Sequence, residues 1–108
     1  MIPQKLQSIN KEMKKLFADF IERESNKEAM ITITRCEISS DRKNIDVFFS
    51  VFPVDHEKKV LSFLTRRQWD ARDYMKKRIQ TRVLPFVQFK IDEGEKNRQK
   101  IDQLLKEV

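Results

Sequence analysis

The residues of this chain that could do chemistry are arginines and lysines gathered in one stretch. Between Lys58 and Arg82, nine basic residues stand against two aspartates, which gives this stretch a net charge of +7. The whole chain of 108 residues carries +6, so the remainder is close to neutral. A local positive field of this kind attracts phosphate groups and other polyanions. The chemistry indicated is electrostatic binding.

Other reactive side chains are too few or too isolated to form a catalytic or metal site. Cys36 and His56 are the single cysteine and the single histidine, so an internal disulfide or a zinc cluster is excluded. Gly94 is the single glycine, which excludes glycine-rich phosphate loops. The acidic residues within 92–95 more simply complement a helix dipole than hold a metal. We expect no enzymatic activity, no cofactor and no small-molecule substrate.

Composition indicates one folded domain over residues 1–108. Hydrophobic residues make up 39% of the chain and eight are phenylalanines, which argues against disorder. The isoelectric point near 9.6 favours nucleic acid over a membrane surface as the partner. No run approaches about 18 apolar residues, and the first residues lack the apolar core of a signal peptide. We expect a cytoplasmic monomer that does not enter membranes.

The basic stretch coincides with the longest helical pattern in the chain. At about 100° per residue, the apolar side chains fall along one side of a helix; they are Val60, Leu64, Ala71, Met75 and Ile79. The opposite side carries Lys58, Lys59, Arg66, Lys76 and Lys77. Asp55 is placed to cap the first turn. One face of this helix can therefore be buried while the other faces an anion.

Trp69 breaks this order, because a straight helix would place its indole among the basic residues. Either the helix bends near Gln68–Asp70 and tucks the indole inward, or the indole is exposed beside Arg66 and Arg72. The first arrangement is a packing feature, and the second offers a flat stacking surface for an unpaired base. Because large aromatic side chains are mostly buried, the packing interpretation is favoured.

Three stretches read as strands. Residues 30–38 are rich in β-branched side chains, but their alternation slips, which predicts a bulge near Thr34 and Arg35. Residues 45–52 alternate cleanly and should pair with the first strand as an antiparallel hairpin. On the outer face of the second strand, Phe48 could stack a base, although covering a helix edge is the favoured role. Residues 86–91 form the third predicted strand, begun by a proline.

Two further helices complete the predicted fold. The first covers residues 4–22 with one apolar face. The last covers residues 96–105, follows a turn at 92–95, and presents Ile101, Leu104 and Leu105. The order is therefore α-β-β-α-β-α, which predicts a small α+β domain with a three-stranded sheet and helices on one face.

Several blocks of this sequence together resemble the ribosome-binding factor A family. They are Ile31–Ser39, Asp41–Val51, Leu84-Pro85, Phe89, Asp92-Glu93 and Ile101–Leu105. The resemblance implies a type II KH-like fold and binding to the small (30S) ribosomal subunit and its 16S rRNA. It also implies a non-enzymatic role in late subunit assembly and in maturation of the rRNA 5′ end. Assembly GTPases are candidate further partners.

Members of this family replace the GxxG loop of ordinary KH domains with a helical kink of Ala-x-Gly type. Aligned backward from Leu84-Pro85, the kink falls on Gln68-Trp69-Asp70, where neither the alanine nor the glycine is present. The position of Trp69 on the basic side of the helical pattern independently indicates a bend there. A chain with one glycine has no GxxG loop, so RNA must be held by charge on a helix face. Such phosphate contacts position the protein on the RNA without reading its sequence.

The predicted RNA-binding residues follow from this interpretation. The basic stretch contributes Arg66, Arg67, Arg72, Lys76, Lys77, Arg78 and Arg82 as phosphate contacts, with Trp69 as a stacking side chain. The hairpin contributes Arg35, Arg42 and Lys43 as a second group. The alternative function is a protein-interaction module whose basic helix docks an acidic partner. Competition with total RNA would separate the two.

Overall fold

The protein is an α+β domain, as the sequence predicts. The structure is a computed structural model that describes residues 4–79 and 84–107. Its helices are α1 (Gln4–Glu24), α2 (Glu57–Arg66), α3 (Gln68–Arg78) and α4 (Glu93–Glu107). Its strands are β1 (Met30–Ile38), β2 (Asn44–Phe52) and β3 (Phe86–Ile91), and a short 3-10 turn covers Val54–His56. The single helix predicted between the second and third strands is thus two helices.

The three strands form one sheet in the order β1-β2-β3. β1 and β2 are antiparallel, which confirms the predicted hairpin, and β2 and β3 are parallel. The register of β1 shifts between Ile33 and Arg35, which confirms the predicted bulge. Because the bulge inserts one residue, Ile33 and Cys36 are buried together in the core. Burial also raises the pKa of the Cys36 thiol to about 12, so this side chain stays protonated at neutral pH.

The core lies on one face of the sheet, against the helices. The alternation of residues 45–52 predicts that Ile45, Val47, Phe49 and Val51 share the inner face of β2. This is confirmed, because all four are at most 3% exposed. The buried side chains of the first three helices join the same cluster. They are Met13, Phe17, Phe20 and Ile21 of α1, Val60 and Leu64 of α2, and Ala71 and Met75 of α3. The helical periodicities in the sequence therefore mark the faces that pack on the sheet.

The helical run between β2 and β3 is interrupted at Arg67. This residue has φ −103° and ψ 9°, outside the helical region, and its backbone N–H donates to the Leu64 carbonyl at 3.0 Å. A new helix, α3, begins at the next residue, and the Ala71 N–H donates to the Arg67 carbonyl at 2.9 Å. Neither proline nor glycine occurs here. The interruption lies one residue before the predicted bend at Gln68–Asp70.

Two predicted helix starts are wrong. Asp55 does not cap α2, because it lies within the 3-10 turn and its carboxylate contacts the ring of His56 at 3.3 Å. The last helix begins at Glu93 rather than Lys96, so residues 93–95 belong to its first turn. Asp92 is the residue that caps this helix. Its carboxylate accepts a hydrogen bond from the Glu95 N–H at 3.1 Å.

The same carboxylate ties α4 to the bulge in β1. The hydroxyl of Thr34 donates to Asp92 at 2.6 Å, and the Asp92 N–H donates to the Phe49 carbonyl at 2.8 Å. Asp92 is only 8% exposed. The hydrogen bond from Thr34 is the main reason why the pKa of Asp92 is lowered.

Beyond its first turn, α4 presents the apolar side chains that the sequence predicts. Ile101, Leu104 and Leu105 are between 58% and 69% exposed, so the described part of the chain does not cover them. Across residues 4–79 and 84–107, none of the helices has the length and apolar content needed to cross a membrane.

Replacement of Asp92 should lower stability in a pH-dependent way. We expect Asp92→Ala to lower the free energy of unfolding at pH 7 by about 0.5–2 kcal/mol, because it removes the helix cap and the Thr34 contact. The folded-state pKa lies below the unfolded value of 3.8, so the charge contributes stability above that pH. The contribution disappears as the pH falls through the folded-state pKa.

Urea denaturation of both proteins at several pH values measures this effect. Asp102→Ala is the control, since Asp102 is an exposed carboxylate of the same helix. A difference between the wild-type protein and Asp92→Ala that stays constant down to pH values well below 3.8 would contradict a contribution from the ionised carboxylate.

Candidate nucleic-acid interface

The two arginines at the helix interruption have different surroundings. The guanidinium of Arg67 donates to the Glu24 carboxylate of α1 at 2.7 Å and lies 5.0 Å from the ring centroid of Phe63. Its positive charge is therefore compensated by a carboxylate of α1 in a partly exposed ion pair. Arg66 is exposed beside the α1–β1 connection and, among the residues that the structure describes, it forms no ion pair.

The side of α3 that faces α1 carries mixed charge. Lys77 pairs with Asp73 at 3.2 Å, and the guanidinium of Arg78 lies 3.5 Å from the ring centroid of Tyr74. The hydroxyl of Tyr74 donates to Asp19, and this hydrogen bond is the main cause that lowers the pKa of Asp19. The groove between α1 and α3 therefore places its cations next to carboxylates, and Asp70 and Asp73 both line it.

The other side of α3 carries Trp69, Arg72 and Lys76, whose spacing of three and four residues places them on one face. Arg72 is anchored to the start of β3: its Nε donates to the Pro85 carbonyl at 3.1 Å and its Nη2 to the Leu84 carbonyl at 2.9 Å. Lys76 is exposed and has no ion pair within the described ranges. This side of the helix is therefore positive and aromatic.

Two aromatic side chains are exposed next to Arg72. Trp69 is 59% exposed and Phe86 is 54% exposed, and their ring centroids lie 6.0 Å apart at an interplanar angle of 83°. The Arg72 guanidinium lies 5.6 Å from the Trp69 centroid and 4.7 Å from that of Phe86. The helix is interrupted next to the predicted bend, but the favoured interpretation, in which the bend buries the indole, is wrong. The alternative of an exposed indole beside Arg72 is confirmed. The indole packs against a residue that is itself at the surface.

The turn between β1 and β2 lies beside these rings. The Phe86 N–H donates to the Lys43 carbonyl at 2.9 Å, and Phe86 lies opposite Asn44 in the sheet register. Arg42, whose φ is 62°, and Lys43 are both exposed, and the described residues offer neither of them an ion pair. The turn thus brings two more cations to the same end of the sheet.

Arg35, the third hairpin candidate, is engaged elsewhere. Its guanidinium pairs with Glu37 at 3.3 Å and lies 4.0 Å from the ring centroid of Phe48. This contact also corrects the prediction for Phe48, whose outward ring packs under an arginine rather than along a helix edge.

The structure therefore brings together only some of the predicted residues. We name as the aromatic–basic face the set Arg42, Lys43, Trp69, Arg72, Lys76 and Phe86. Outside it are the predicted residues Arg35, Arg66, Arg67, Lys77 and Arg78, and Arg82 lies outside the described residues. Sequence reasoning missed Phe86. The sequence does contain a signal for this residue, because Phe86 alternates with the inward-facing Val87 and Phe89. This alternation places the Phe86 ring on the outer face of an edge strand.

The three-stranded sheet and its helices define a KH-like domain without a GxxG loop. The sequence profile of the ribosome-binding factor A family matches residues 5–105. The chain belongs to the ribosome-binding factor A family. This confirms the resemblance stated from the sequence.

Relatives in three bacteria are named ribosome-binding factor A. The Brevibacillus brevis protein is 35% identical over 79 residues, which is 72% of this chain and 65% of the relative. The Thermodesulfovibrio yellowstonii protein is 33% identical over 78 residues, which is 72% of this chain and 66% of the relative. The Natranaerobius thermophilus protein is 27% identical over 105 residues, covering 94% and 80%. The first two matches thus span just under two thirds of the relatives' length.

Solved structures show the same fold. The crystal structure of ribosome-binding factor A from Thermus thermophilus superposes with a TM-score of 0.72 at 20% identity, covering 80% of this chain and 93% of that one. The solution structure of a Thermotoga maritima protein, described as a putative ribosome binding factor A, superposes with a TM-score of 0.71 at 24% identity. The match covers 83% of this chain and 90% of that one. A homology model of the Thermus thermophilus protein, fitted into a cryo-EM map of a 30S complex, gives 0.67 at 20% identity, covering 77% and 90%.

The different surroundings of Arg66 and Arg67 lead to a stability prediction. We expect Arg67→Ala to lower the free energy of unfolding by about 1 kcal/mol, because it removes a partly exposed ion pair and the contact with the Phe63 ring. Arg66→Ala, one residue away, should change it by less than about 0.5 kcal/mol.

Urea denaturation of both variants tests the difference, with a double-mutant cycle between Arg67→Ala and Glu24→Gln to isolate the pair. Equal effects of the two arginine replacements, or the absence of coupling between Arg67 and Glu24, would show that Arg67 does not hold α3 to α1.

Proposed function

We propose that this protein is an assembly factor of the small (30S) ribosomal subunit. In this role it binds 16S rRNA and acts in late subunit maturation and in processing of the rRNA 5′ end. The observation that carries the proposal is the aromatic–basic face, where exposed cations that form no ion pair among the described residues lie beside exposed rings. Membership of the ribosome-binding factor A family supports it. A member of that family from Thermus thermophilus has been fitted into the map of a 30S complex.

The cations divide by how readily they can contact phosphates. Arg42, Lys43 and Lys76 are exposed and, within the described part of the chain, have no ion pairs, so a phosphate displaces only water and counterions. Arg66 is a further contact of the same kind, outside the face. Arg35, Arg67, Lys77 and Arg78 must first give up their present partners. For an exposed pair such as Lys77–Asp73 this costs at most about 1 kcal/mol, so these residues can adjust to the RNA.

The nature of the face favours RNA over the alternative partner, an acidic protein. An acidic protein would use the cations alone, whereas RNA also offers bases for the exposed rings of Trp69 and Phe86. Because phosphate contacts carry no sequence information, the shape and context of the rRNA set the target. A monomeric state, cytoplasmic location and cooperation with assembly GTPases, as well as a phosphate contact by Arg82, remain predictions of this proposal.

Charge reversal on the aromatic–basic face should abolish binding to the small subunit. The variant combines Arg42→Glu, Lys43→Glu and Lys76→Glu, all at exposed positions, so the fold is retained. We expect it to be lost from small-subunit fractions in sucrose gradients. For binding to isolated rRNA, the slope of log K against log salt should become shallower by about 2–3, since each lost phosphate contact contributes about 0.7–0.9.

The matched control reverses Lys11, Lys14 and Lys15, three exposed lysines of α1. Both triple variants bring the net charge from +6 to zero, so only the location of the charge differs. The control should still co-sediment with the subunit. Loss of binding in both variants would indicate a response to net charge alone, and retention in the first would place the interface elsewhere.

A further inference from the structure

We propose that Trp69 and Phe86 form a stacking site for an unpaired nucleobase, and that Arg72 acts as its positioning residue. This inference rests on the RNA-binding function proposed above and adds the chemical group that the site takes. It assigns a role to Phe86, which lies at the first position of β3. It also moves Arg72 from a direct phosphate contact to a residue that holds the two rings in place.

The exposure of the two rings is the first argument. An indole and a phenyl ring in contact would normally bury most of their surface, yet each of these two residues is more than half exposed to solvent. Their edge-to-face contact, with an interplanar angle of 83°, prevents the two faces from covering each other. A planar, uncharged nucleobase has the shape and chemistry to stack on such an open face.

The anchoring of Arg72 is the second argument. Two of its N–H groups are bound to the carbonyls of Leu84 and Pro85, which fixes the guanidinium plane before any ligand arrives. From that position the guanidinium contacts both rings. Because the rings are held in advance, little side-chain entropy is lost when a base stacks on them. The site is therefore preorganised.

The charges around the rings provide the third argument. The hydrogen bond from the Phe86 N–H to the Lys43 carbonyl holds the β1–β2 turn beside the rings, so Arg42 and Lys43 can contact the phosphates that flank the stacked base. The nearby carboxylate of Asp46 is paired with Lys90 at 3.1 Å. Asp70 lines the groove on the α1 side of α3. A base within a duplex cannot reach the rings, because both of its faces are already stacked.

Tryptophan fluorescence tests the proposal directly, because Trp69 is the single tryptophan of the chain. The probe is a single-stranded RNA of about 12 nucleotides, long enough to span one such site. We expect this RNA to quench the emission of Trp69. Inorganic polyphosphate and a duplex of the same length should leave it nearly unchanged. Equal quenching by polyphosphate would overturn the proposal, since that polymer has no bases.

Variants extend the test to affinity, measured by the fluorescence anisotropy of labelled single-stranded RNA. Trp69→Ala should weaken binding about 5- to 100-fold, the range expected for loss of one base stack. Phe86→Leu should weaken it by less, and Trp69→Phe should restore much of the affinity because a ring remains. The control is Phe52→Ala, which removes an aromatic that is 64% exposed at the opposite end of β2. Weakening by Phe52→Ala equal to that by Trp69→Ala would overturn the proposal.

Co-sedimentation of the wild-type protein with small subunits separates this inference from the proposed function. If the protein co-sediments but single-stranded RNA leaves the emission of Trp69 unchanged, the stacking site is refuted while subunit binding stands. If single-stranded RNA quenches the emission but the protein does not run with the subunit, the stacking site is supported and the ribosomal target is wrong.

Discussion

The interruption of the helical run at Arg67 is the constraint on which the binding surface depends. At the interruption itself, the Arg67 guanidinium is bound to Glu24 of α1. Further along α3, Arg72 is bound to the backbone at the start of β3. Ala71 and Met75 of the same helix remain in the core. α3 therefore spans from α1 to β3, which places Trp69 against Phe86 rather than against the interior.

Tertiary neighbours, rather than local charge density, decide which cations are available to a polyanion. Consecutive lysines of α3 illustrate this, because Lys77 is paired with Asp73 while Lys76 has no ion pair in the described residues. In the same way, Arg67 is paired with Glu24, while Arg66 has no ion pair among the described residues. Two further cations without ion pairs among the described residues, Arg42 and Lys43, are distant in sequence from α3. The hydrogen bond from the Phe86 N–H to the Lys43 carbonyl places them beside Trp69. The surface proposed to bind rRNA thus contains only part of the basic stretch and draws on three parts of the chain: the β1–β2 turn, α3 and the start of β3.

Local patterns in the sequence predicted the elements but not their connections. The alternation of β2 and the slipped phase of β1 identified the buried faces and the bulge, because side-chain direction follows from the pleat. The ion pair of Arg67 joins residues that are 43 apart, and the cap of α4 depends on Thr34, 58 positions before Asp92. Neither is visible in a short window of sequence. The sequence left open whether Trp69 is buried or exposed for the same reason, since the outcome depends on its contact with Phe86.

The most direct test of this account is lysine acetylation of the protein, free and bound to the small ribosomal subunit, with the modified residues identified by mass spectrometry. The account predicts that Lys43 and Lys76 lose reactivity on binding, while Lys11, Lys14 and Lys15 of α1 react as they do in the free protein. Protection of the α1 lysines with undiminished reactivity at Lys43 and Lys76 would contradict it.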